Sequence, residues 1–122
     1  MLIVVATKRP ARLQDFIDEL RRTPGTDVAV MAEEEDVLDV AKSKWLRLAV
    51  VDGAQGDGFC LELVRKILRI NAMVNTAVLS ALSEEDFHER SEGLGVLSQV
   101  SAQPGRADAA LLREKLRGVL RA

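Results

Sequence analysis

"LRLAVVDGAQGDG" (residues 46–58) begins as an aliphatic run interrupted only by Arg47 and passes through an acid into a loop holding three glycines. A short apolar run bounded by turn residues reads as a strand buried on both faces, the kind found in parallel sheets. The strand predicted here is Leu46 to Val51, ending at Asp52. The glycines predict a loop, and a helix follows from about Phe59 to Ile70, with Leu63, Val64, Ile67 and Leu68 as its apolar face.

The same alternation extends in both directions. Leu2 to Val5, Asp27 to Met31 and Thr76 to Leu79 are further predicted strands, the last ending at Ser80, and a fifth lies within Val96 to Ala102. Between them, Pro10 suits the first turn of a helix, Leu13, Phe16, Ile17 and Leu20 keep helical spacing, and Pro24-Gly25 stops the segment. Glu33 to Asp36 and then Lys42 and Lys44 place charges that favour the dipole of a second helix. Trp45 at its end is expected to pack. Ser83 is the expected N-cap of a fourth helix, "EEDFHER". A last helix runs from about Ala107 to Leu120, with Leu111, Leu112, Leu116 and Leu120 facing the core. Five βα repeats predict one domain over residues 1–122, an α/β, doubly wound, five-stranded parallel sheet with right-handed crossovers and helices on both faces. Chemistry in such sheets sits at the carboxyl ends of the strands, here Ala6-Thr7, Asp52, Ser80 and Gln103.

Composition narrows the function classes. The 122 residues carry 48% hydrophobic and 30% charged side chains, with a formal net charge of -2 and no strongly basic stretch, so nucleic acid is not an expected partner. A single cysteine excludes an internal disulfide and a cysteine-rich metal site. The apolar N-terminal run is too short and too soon charged for a signal peptide or a membrane span, so a cytoplasmic protein is expected. Cys60 and His88 carry bland expectations: a small core thiol, although the start of a helix favours thiolate, and a solvated imidazole. "GAQGDG" lacks the Lys-Ser/Thr of a phosphate-binding P-loop.

With its acid at the end of strand three, Ser80-Ala81 at the end of strand four and Gln103-Pro104 after strand five, the chain resembles the receiver domain of bacterial response regulators over essentially its whole length. The resemblance implies a CheY-like, flavodoxin-like three-layer sandwich with Asp52 at the phosphoacceptor position. Ser80, Ala81, Gln103 and Pro104 are then the phosphate-pocket equivalents. It also exposes departures. Ala6-Thr7 stands where receivers carry an acidic pair that holds magnesium, Gln103 stands where they carry lysine, and Val100 stands near the place of an aromatic switch residue. Magnesium needs near-octahedral oxygen donors, and phosphoryl transfer depends on charge neutralisation, so weak or absent magnesium binding and no cofactor are expected. Lys8 and Arg9 follow strand one and could reach Asp52, with Lys8 the candidate charge partner, although surface cations ordinarily face solvent. The reading is a pseudo-receiver: a non-enzymatic module of a two-component phosphorelay that binds a histidine kinase or effector protein. Phe87, Leu94, Val96 and the outer face of the last helix form the expected output or homodimer surface of helix 4, strand 5 and helix 5. The alternatives are a working phosphoacceptor with an atypical pocket, and a small-ligand-binding domain on the same fold.

Overall fold

The computed structural model describes residues 1–120. Five strands, β1 (Leu2–Ala6), β2 (Asp27–Met31), β3 (Leu46–Asp52), β4 (Asn75–Ser80) and β5 (Ser98–Ser101), form one all-parallel sheet in the order β2-β1-β3-β4-β5. The helices are α1 (Gln14–Arg21), entered through a short 3-10 turn at Pro10–Leu13, α2 (Glu34–Ala41), α3 (Asp57–Ile70), α4 (Glu84–Arg90) and α5 (Arg106–Leu120). No described helix is long and apolar enough to cross a membrane.

Side chains alternate across a strand, so each central strand supplies both faces of the sheet. Ile3, Val5, Leu48, Val50, Ala77 and Leu79 face α1 and α5, where they meet Phe16, Ile17, Leu112 and Leu116. Val4, Ala6, Ala49, Val51 and Val78 face α2 and α3, where they meet Val37, Val64 and Ile67. Two cores thus share one sheet, which is why Leu48 to Val51 of β3 reads as a continuous apolar run. Leu68 of α3 is only partly buried against that second core.

Helix ends follow local chemistry. Ser83 accepts the amide hydrogen of Asp86 at 3.1 Å and caps α4 as expected. Lys42 is the C-cap of α2, so Lys44 and Trp45 lie past the helix in the connection to β3. Trp45 does not pack: it is 61% exposed, with the Lys44 ammonium 5.1 Å from its ring centroid. Leu111 and Leu120 also correct the sequence reading, being 60% and 44% exposed. Ala109, Leu112 and Leu116 define the inner face of α5, and Leu111 sits one residue, about 100° of helix, around from Leu112. Phe87 is buried in the α2–α3 core, with Leu94 and Val96 packed against that core, so it offers no output surface.

Candidate functional site

The carboxyl edge of the sheet gathers the expected site residues. β3 delivers Asp52 to that edge almost wholly buried, and its carboxylate accepts four hydrogen bonds. The Thr7 hydroxyl donates to Oδ2 at 2.7 Å, the Arg9 guanidinium donates through Nε to Oδ2 at 2.8 Å and through Nη2 to Oδ1 at 2.9 Å, and the Ala54 amide donates to Oδ1 at 3.0 Å. The last bond makes Asp52 the N-cap of the 3-10 turn Gly53–Gln55. Burial by itself would push the Asp52 carboxyl up; the bonds from Arg9, Thr7 and Ala54 outweigh it and hold the carboxyl below its ordinary value.

Arg9, and not Lys8, is the charge partner of Asp52. The reason begins with the backbone. Thr7 is buried, and its hydroxyl also accepts the Arg9 amide hydrogen at 3.0 Å, a local turn that sets Arg9 over the sheet edge while Lys8 is exposed. A guanidinium matches a carboxylate with two parallel N–H donors, which an ammonium cannot do. Arg9 Nη2 also donates to the Ala102 carbonyl at 2.6 Å, so one side chain ties the ends of β1, β3 and β5.

The other half of the edge is occupied from within. Ser80 does not stand free: its hydroxyl donates to Asp57 Oδ1 at 2.8 Å and accepts the Leu82 amide hydrogen at 3.1 Å. Asp57 opens α3, and the turn leading to it passes so close to β4 that a Cβ on Gly53 would fall on the Leu79 carbonyl oxygen. Gly56, at φ 115°, then reverses the chain into the helix. The sequence suggested no role for the Asp57 side chain; Gly53, whose missing Cβ lets the turn lie against β4, was the available signal.

Gln103 is exposed, and its amide hydrogen goes to the Ser101 hydroxyl at 3.2 Å. Ala81 is exposed, Pro104 is buried and Val100 packs in the α1–α5 core. Cys60 is a buried core thiol, pushed up to about 11 by burial and by the nearby charges of Asp57 and Asp52, opposite to the effect of a helix start alone. His88 is exposed on α4. Among the described residues no three His, Cys, Asp or Glu side chains cluster as metal ligands. Of the two carboxylates at this edge, Asp52 has both oxygens accepting from Arg9 and Asp57 accepts from the Ser80 hydroxyl, so the donor set does not fit magnesium.

No family model matches the chain, and no curated protein matches it by sequence. Solved structures do. A Burkholderia thailandensis protein described as a pilus assembly protein (CpaE) superposes with a TM-score of 0.76 at 13% identity, over 97% of this chain and 98% of that one. A CheY-like protein (TadZ) of Pseudomonas aeruginosa gives 0.73 at 14% identity, over 97% and 94%. An atypical orphan response regulator gives 0.74 at 17% identity, over 96% of each. With the strand order, these place the architecture: the chain has the fold of the CheY-like receiver domains of response regulators.

Proposed function

We propose that the chain is a receiver-like signalling module of a two-component phosphorelay, cytoplasmic and without enzymatic activity, that works by binding a kinase or effector protein. Asp52 stands at the phosphoacceptor position but is not efficiently phosphorylated, and magnesium binds weakly or not at all. The single observation behind this reading is the two-pronged Arg9–Asp52 pair. A cation fixed on both carboxylate oxygens uses the lone pairs that a divalent ion and an attacking carboxylate need. Opening the pair leaves the nearly buried Asp52 carboxylate without its counter-charge, which is costly. The structural neighbour described as an atypical orphan response regulator is one whose structure revealed a phosphorylation-independent regulatory mechanism, and that precedent favours the same mode here. Self-association through α4, β5 and α5 belongs to the same proposal. With Phe87 turned inward, the exposed apolar side chains on α5 are Leu111, Val119 and Leu120.

Beryllium fluoride with magnesium, a phosphoryl analogue, tests the reading. Titration into labelled protein followed by amide NMR is expected to leave the resonances around Asp52 in place. Saturable shifts abolished by Asp52→Asn would instead establish a working phosphoacceptor.

A further inference from the structure

A cleft of about 360 Å³ opens beside the Asp52 network, between the ends of β1 and β3 and the first turns of α2 and α3. This is where the strand order reverses, from β1 outward to β2 on one side and through β3 on the other. Such switch points are where open α/β sheets receive ligands.

Its walls are largely apolar, with Val37, Val51 and Leu63 at the floor. Phe59 completes the lining and is 50% exposed, whereas the other two phenylalanines, Phe16 and Phe87, are buried. An aromatic ring left half in water at the mouth of an apolar cleft is a ready anchor point for a partner side chain.

The charges at the rim specify what kind. Arg9 is neutralised by Asp52, and Glu34 by Lys66 at 2.9 Å. Glu33, Glu35 and Asp36, in the same turn, form no ion pair among the described residues. Against them, among the described residues, the cleft's lining holds one cation outside any ion pair, Lys8. The uncompensated field is negative. The turn lies within about one Debye length of the cleft mouth, so that field acts on anything entering.

We infer that this cleft is a docking site for a protein partner's segment that presents an aromatic or branched aliphatic side chain beside lysine or arginine. The apolar side chain fills the cleft against Phe59, and the cations face Glu33 and its neighbours. The inference rests on the reading of the chain as an interaction module and adds where, and by what chemistry, the partner is held.

A random peptide library displayed on phage and selected on the folded chain tests it. Enriched peptides are expected to combine basic residues with an aromatic or branched aliphatic one. Their affinity should fall about tenfold or more with Phe59→Ser, and by a similar factor with Glu33→Lys at an exposed position that leaves the fold intact by circular dichroism. Binding should also weaken with added salt. Enrichment of acidic or uncharged peptides, peptides indifferent to both substitutions, or no enrichment over an unrelated receiver-like domain would each overturn it. The beryllium fluoride titration is read separately: a response there with intact cleft binding overturns only the phosphorylation-silent reading.

Discussion

Asp52 and Arg9 form a coupled pair whose worth can be measured directly. The carboxyl's lowered pKa means that the folded state holds its charge more strongly than the unfolded chain does. That stabilisation is fully present above the unfolded value near 3.8 and is lost as pH falls through the lower folded value. Arg9→Ala removes three charge-assisted bonds, two to Asp52 and one to the Ala102 carbonyl, and leaves a buried carboxylate without its counter-charge, at a cost of about 2–4 kcal/mol at neutral pH. Urea unfolding should show that gap between wild type and variant, and show it closing below about pH 4 as the carboxyl protonates. A gap that persists undiminished in acid would mean that Arg9 stabilises by packing alone. Cys60 supplies an independent reading of the same corner. A thiol pushed from 9.0 to about 11 has about a hundredfold less thiolate at pH 8 than in the unfolded chain, so alkylation by iodoacetamide should be slower by at least that factor until urea exposes it.

At the level of elements, the connection from β3 to α3 is the constrained one. Gly53 must lack a side chain because β4's Leu79 carbonyl fills that space. Gly53→Ala should therefore cost about 1–3 kcal/mol and loosen the Asp57–Ser80 bond, seen as faster hydrogen exchange of the Leu82 amide, which Ser80 holds. A neutral Gly53→Ala with unchanged exchange would remove the steric argument. The helix α5 gives a sharper contrast. Leu112→Ala should cost about 2–5 kcal/mol and Leu111→Ala within about 0.5 kcal/mol, by thermal or urea unfolding. Spacing alone did not separate these two neighbours, because adjacent leucines on a helix differ by about 100° and either can belong to a broad apolar stripe. The deciding residue is Ala109, too small to mark a face by hydropathy yet fully buried against the sheet.

Across the whole molecule, the two cores are the two faces of one sheet, so neither can melt while the other keeps its wall. Far-UV circular dichroism should record a single cooperative transition in urea. A biphasic curve would show that one helical layer detaches by itself. Trp45 is expected to be a poor probe of that transition, its emission already close to that of an exposed indole in the native state. Sequence alone determined the order of elements, the parallel sheet and the arrival of Asp52, Ser80 and Gln103 at one edge, because burial on both faces leaves its mark in the period and apolarity of each segment. Which cation meets Asp52, that Ser80 belongs to Asp57, that Phe87 turns inward and that Phe59 stays half open were decided only by the folded chain. Each depends on contacts between segments distant in sequence, as with Arg9 and Asp52, 43 positions apart, and no local pattern encodes which partner lies across such a gap.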